Sequence, residues 1–176
     1  MFRVTAIRYV KSPFQSLPSA LKQYPILRLR PTDWGEMDAF GHINNVTYLK
    51  YFETARICHF QQMMDKVIQS HPDYPTDEFL HGTGIGPILK HTECRYKWPG
   101  TYPDDLVVGS KIEKDSITEF EFKQEYIVFS RTTERTLATG SGLIVSFDYK
   151  KGEKAPIPPE ILNVLKNEDY DEKRFF

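Results

Sequence analysis

Asp33-Trp34-Gly35-Glu36-Met37-Asp38-Ala39-Phe40-Gly41-His42-Ile43-Asn44-Asn45 packs three carboxylates, a histidine, two asparagines and two glycines directly ahead of a long apolar-periodic segment. Asn44 or Asn45 is a good helix N-cap, so the first amides of the helix that follows lack intrahelical acceptors. They point back at the loop, at the positive end of the helix dipole. Such an end can hold an oxyanion. A carboxylate a few residues earlier, Asp38, could then attack a carbonyl whose oxygen lies on those amides, or direct water at it.

Downstream, Val46, Leu49, Ile57, Phe60, Met64 and Val67 recur at three- and four-residue steps, which predicts a helix from Val46 to about Ser70. Tyr48, Phe52 and Met63 broaden the stripe, and His71-Pro72 ends it. Upstream lies one β-like run, Ile26 to Arg30. Pro72 to Gly86 reads as a polar, glycine-rich connection. Extended runs follow at Ile88 to Trp98, Asp105 to Asp115, Glu119 to Ser130 and Thr136 to Tyr149, separated by turn signals that suggest an antiparallel meander. Pro158-Pro159-Glu160 opens a short C-terminal helix. The expected organisation is a leader at 1–25, a single domain at 26–166 and a charged, fraying tail at 167–176. One strand, one long buried helix and four long strands make an α+β layout, with an antiparallel sheet curled around the helix.

Composition bounds the function. Among 176 residues, 40% hydrophobic and 14% aromatic content is ample for a core. The net charge of -1 hides an asymmetry: six of the 23 Lys and Arg, and none of the 24 Asp and Glu, lie in residues 1–32. The rest carries 17 basic against 24 acidic residues, near -7. An acidic body argues against binding a nucleic-acid backbone. The leader mixes Arg3, Arg8 and Lys11 with apolar residues and serines and reads as a mitochondrial transit peptide, which places the protein in the matrix. No stretch approaches the ~20 apolar residues of a membrane span. Cys58 and Cys94 form no C-x-x-C pair and read as small buried fillers; with the histidines they have no metal-ligand spacing. Gly82-x-Gly84-x-Gly86 precedes Pro87 and a strand, not the helix that a phosphate loop needs. Gly140-Ser141-Gly142 lacks the spacing of a serine nucleophile.

Asp38-Ala39-Phe40-Gly41-His42-Ile43-Asn44-Asn45, with Tyr48, Tyr51-Phe52-Glu53 and Arg56, resembles the hotdog-fold thioesterases of the 4-hydroxybenzoyl-CoA thioesterase type, and the layout matches from about residue 26 to 165. The resemblance implies hydrolysis of an acyl-CoA, or of an acyl-ACP, with no metal or organic cofactor. It implies Asp38 as nucleophile or general base and the Asn45 amide as oxyanion donor. It also implies a homodimer or homotetramer joined through sheet edges. Plant acyl-ACP thioesterases are similar, but their Asp-x-Asn-x-His pattern has Phe40 in place of the asparagine here. A non-catalytic acyl-binding or structural subunit and a hydratase are the rival readings.

Among the candidates, Asp38 is ionised and available at neutral pH as a free aspartate; Glu36 competes for its role. His42 reads as a brace for the loop more than as a base. Asn44 and Asn45 are caps first, whose side chains could also orient water. Glu53 falls on the apolar stripe, where a carboxylate must face a cavity or be paired, and Arg56 three residues on is its expected partner. Lys150, Lys151, Lys154 and Arg131 are the candidate cations for coenzyme A phosphates.

Overall fold

The structure, a computed structural model, describes residues 14–167 and 174–175. Its elements in chain order are β1 (Ile26–Pro31), α1 (Asn45–Ser70), α2 (Thr76–His81), β2 (Ile85–Tyr96), β3 (Asp105–Glu113), β4 (Glu121–Ser130), β5 (Arg135–Asp148), β6 (Glu153–Lys154), α3 (Pro159–Asn167) and β7 (Arg174–Phe175). The strands form one sheet in the order β2-β5-β4-β3-β1-β7, with β6 on the end of β5. Only the short β1–β7 pairing is parallel. The sheet curls around α1, giving the expected α+β hotdog architecture. No helix among the described residues is long and apolar enough to cross a membrane.

The β3-β4-β5 part is the expected meander. β2 departs from it, because it pairs with β5 and not with β3. Residues 97–104 are too long for a tight hairpin and carry the chain across the end of the sheet. That order leaves β2 as an outer strand.

Sheet alternation puts Val108, Tyr126 and Val128 against α1, while Val107, Ile127 and Phe129 face the other way. The outer face is covered by Leu21 and Tyr24, both buried, with Phe14 and Leu17 beside them. These four residues, which the sequence reading assigns to the leader, thus pack on the outer face of the sheet. Residues 1–13, which carry most of the leader's basic residues, lie outside the described residues. The C-terminal tail is likewise not wholly free, since Ile26 and Leu27 pair with Arg174 and Phe175.

The stripe on α1 is rotated from the expected one. Phe60, Met64 and Val67 are buried, but Val46 and Ile57 are 59% and 44% exposed, and Leu49 is also exposed. Tyr48, Phe52, Ala55 and Met63 form the buried line instead, joined by Arg56, His59 and Gln62. Apolar residues at exposed positions and polar ones at buried positions misled the periodicity. The connection from Pro72 to Gly86 also holds α2, whose left-handed C-cap is Gly82 at φ 63°. Gly84 and Gly86 pack so closely on Glu78 and Phe79 that a Cβ at either position would overlap them. Cys58 is buried as expected, and Cys94 is partly buried against the cluster around Tyr48, Phe52 and Tyr126.

Candidate active site

The loop between β1 and α1 is a miniature hairpin. Met37 bridges Ile43, the Asp38 amide donates to the His42 carbonyl at 2.8 Å, and the Asn44 amide donates to the Glu36 carbonyl at 2.9 Å. The Gly41 amide closes the turn onto the Asp38 carbonyl at 3.1 Å, with Gly41 at φ 73°, a conformation that favours glycine. Within the turn, Asp38 Oδ1 accepts from the Phe40 amide at 2.8 Å and from the His42 amide at 3.2 Å. Oδ2 has no partner among the described residues. One oxygen is thus fixed and the other is available. His42 enters the hydrogen bonding of the loop through its backbone amide and carbonyl, and it lines the adjoining cavity. Phe40, which replaces an asparagine of the similar plant pattern, points outward and is 84% exposed.

Asn44 is the N-cap of α1: its side-chain oxygen accepts from the Val46 amide at 3.1 Å. The amide of Asn45, the first helical residue, has no acceptor among the described residues. Tyr96 Oη donates to the Asn45 carbonyl at 2.9 Å and so ties the first turn of the helix to the end of β2. Asp38, His42 and Asn45 line one open cavity of about 300 Å³, together with Tyr48, Tyr96, Lys97, Trp98 and Gly100. Burial pushes the Tyr48 hydroxyl up to about 12, and burial also raises Tyr96, so both remain neutral donors. Arg135 stacks over Trp98 at 3.8 Å.

Glu36 is occupied elsewhere. Its Oε2 accepts from the Tyr51 hydroxyl at 2.7 Å and from the Asp33 amide at 3.0 Å, and its Oε1 pairs with Arg30. Burial alone would raise Glu36, but the Asp33 amide, Tyr51 and Arg30 outweigh it and hold the carboxyl below its ordinary value. Glu36 is therefore the brace that ties β1, the loop and α1 together, not a competitor for the role of Asp38.

The remaining candidates are not brought to this cavity. Glu53 is exposed on α1, and its expected partner Arg56 turns into the core toward the Tyr126 hydroxyl. Lys150, Lys151 and Lys154 follow the far end of β5 and pair with Glu78, Asp148 and Glu121. Arg131 pairs with Asp105. The cation that does line the cavity is Lys97, which the sequence hides at a strand end. Among the described residues no cluster of three or more His, Cys, Asp or Glu could hold a metal.

The thioesterase-like superfamily matches residues 32–165. The chain belongs to this superfamily. A protein of Aquifex aeolicus (strain VF5), provisionally named an esterase, is 29% identical over 81% of this chain and 99% of its own. Among solved structures, a gentisyl-coenzyme A thioesterase superposes with a TM-score of 0.63 at 19% identity, over 79% of this chain and 98% of that one. A thioesterase from Thermus thermophilus, complexed with coenzyme A and zinc, gives 0.64 at 23% identity, over 81% and 98%. Membership makes thioester hydrolysis the general chemistry of this superfamily domain.

The Glu36 brace has a pH signature. Its carboxyl lies lower in the folded chain than in the unfolded one, so its stabilisation is complete above the unfolded value of 4.5 and is lost as pH falls through the folded value. Glu36→Gln should cost about 1–3 kcal/mol at neutral pH, and the gap should shrink on going from about pH 6 to about pH 3. Urea denaturation at both pH values reads this; an unchanged gap would remove Glu36 from the role.

Proposed function

We propose that this domain hydrolyses an acyl-CoA to the free acid and coenzyme A, in the manner of the 4-hydroxybenzoyl-CoA thioesterase type. The supporting observation is the meeting, in one open cavity, of an Asp38 oxygen without a partner and the unpaired amide of Asn45. The thioester carbonyl oxygen rests on the Asn45 N–H, at the positive end of α1, which is long enough for a full dipole. Asp38 Oδ2 attacks the carbonyl carbon, or takes a proton from a water that does so. The oxyanion collapses, the C–S bond breaks, and the thiolate leaves and is protonated. In the covalent route, water then cleaves the mixed anhydride and returns Asp38. The turn amides on Oδ1 hold the carboxylate aimed at the carbonyl, and His42 lies beside the path of the leaving thiol. No step needs a metal or an organic cofactor.

β2 is an outer strand whose neighbourhood carries the exposed Ile88 and Leu89, with Val46, Leu49 and Ile57 on α1. An unpaired strand edge beside apolar side chains favours a second copy over solvent. The assembly proposed is a homodimer, or a tetramer built from it, paired through β2. Sedimentation velocity should give at least twice the chain mass; a single-chain mass at working concentration would dismiss it. Matrix import is supported by the acid-free basic leader, and a fluorescent reporter carrying residues 1–25 should enter mitochondria; cytosolic fluorescence argues against import.

Thiol release from a panel of acyl-CoAs, with acyl-ACP in parallel, tests the chemistry. Asp38→Asn should lower kcat/KM by ~10²–10⁴-fold. Asn45→Pro is the sharper probe, because proline is tolerated at the first helical position yet removes the N–H. Asn44 at φ -57° and ψ 137° already has the extended geometry that precedes a proline. That variant should fold and lose ~10²–10³-fold in kcat. Full activity in both variants would end the Asp38 mechanism.

A further inference from the structure

A second cavity, of about 320 Å³, opens between α1, α2 and β2. Ile57, Phe60, Phe79, Leu89 and Ile144 make its wall apolar, and Arg56 stands in it. Arg56 is 92% buried, being 8% exposed. Among the described residues it makes one hydrogen bond, a long one of 3.5 Å from Nη1 to the Tyr126 hydroxyl. That hydroxyl passes its own proton on to Gln124 Oε1 at 3.3 Å. No carboxylate lines the cavity, and Glu53, one turn away, remains at the surface.

A guanidinium taken this far out of water costs much more than one long hydrogen bond returns, unless an anion meets it. Its planar fork suits a carboxylate, which can accept two parallel N–H bonds. Leu89 and the Tyr126 hydroxyl close in where Gly142 lacks a side chain. Gly142 faces the Tyr126 hydroxyl, and a Cβ there would meet Leu89 Cδ1 at 3.0 Å and that hydroxyl at 3.1 Å.

We propose that this cavity binds an apolar chain ending in a carboxylate, held by Arg56, and that the favoured substrate is a dicarboxylic half-thioester. The second half of this proposal rests on the thioesterase reading and on pairing through β2. Within one chain, the eleven residues from Asn45 to Arg56 separate the two cavities by roughly 16 Å along α1. β2 touches both: Tyr96 lines the Asp38 cavity at one end and Leu89 the Arg56 cavity at the other. Antiparallel pairing of β2 with its copy exchanges these ends. The Arg56 cavity of one chain then adjoins the Asp38 cavity of the next, and an acyl chain entering from Asp38 meets the guanidinium with its far end.

The test uses the full chain and coenzyme A thioesters of six, eight and ten carbons, each ending in a methyl or a carboxylate. At the best length the carboxylate-ended thioester should be favoured about tenfold to a hundredfold in kcat/KM, the worth of a charge-assisted hydrogen bond. Arg56→Lys should keep part of that ratio and Arg56→Met should abolish it. Free hexanoate, against the neutral 1-hexanol, should raise the Tm of wild type and of Asp38→Asn, and leave Arg56→Met unmoved. Without ligand, Arg56→Met should melt at or above wild type, since it removes an uncompensated buried charge. A lower Tm would show Arg56 to be a structural element and overturn the proposal. So would hydrolysis without preference for the carboxylate, or a preference that survives in Arg56→Met. If no thioester is cleaved while hexanoate still stabilises the protein through Arg56, the binding site stands and the thioesterase reading falls.

Discussion

Phe52 of α1 lies flat on Tyr126 of the sheet, ring centroids 4.9 Å apart, and the depth of that contact governs the rest of the molecule. Gly140 sits beside Tyr126 on β5. A Cβ on Gly140 would overlap both the Phe52 ring and the Glu93 carbonyl. Gly100 repeats the constraint at the helix start, where a Cβ would press on Ile43 at 2.6 Å and on the Tyr48 hydroxyl at 2.9 Å. Overpacking of this kind typically costs ~1–3 kcal/mol. With both positions bare, α1 settles close to the sheet and its first amide emerges where β2 ends and residues 97–100 cross. The candidate active site is thus a consequence of packing depth, with the Glu36 brace holding the loop against the helix once that depth is set.

Beneath the stacked rings the core changes character. One apolar cluster surrounds Phe52 and Tyr126, another surrounds Phe60, Met63 and Phe122. Between them Arg56 reaches Tyr126, and His59 Nδ1 lies 3.0 Å from Ser110 Oγ. Buried groups of this kind add little stability over well-packed apolar ones, and a charge among them subtracts from it. A hydrogen-bonded pair such as His59 and Ser110 is neutral in that balance. Arg56 is not, which is why its presence calls for a role other than holding the fold.

The same layer explains what the sequence could and could not show. The α+β class was legible because it depends on local signals: the Asn44 cap, the run of helical spacing and the period-two alternation in β4 and β5. Asp38, His42 and Asn45 were legible because they are neighbours in the chain and the loop folds on itself. The buried face of α1 was not, because Arg56, His59 and Gln62 occupy it while Val46, Leu49 and Ile57 stand outside. Tyr96, Lys97 and Trp98 join the cavity from about fifty residues away, and the pairing of β2 with β5 that brings them there leaves no mark in the local pattern. The partner of Arg56 was misjudged for a related reason: three-residue spacing makes Glu53 a neighbour on an isolated helix, whereas the sheet draws Arg56 inward.

In the proposed mechanism, the machinery around Asp38 is indifferent to what it cleaves. A carboxylate oxygen set by turn amides and an unpaired helix amide would recognise the thioester alone, and their cavity is open to solvent. Selectivity among acyl groups must therefore come from walls that the Asp38 loop does not supply. Apolar walls discriminate weakly, since one methylene changes transition-state binding by only ~1–3 kcal/mol. A buried polar group left unsatisfied by the wrong substrate discriminates far more strongly. In this fold Arg56 stands on α1, at the opposite end of β2 from the Asp38 cavity, so the proposed assembly would couple specificity to association: the exposed apolar face through which two chains would meet is also what would bring the selecting wall to the reacting carbonyl.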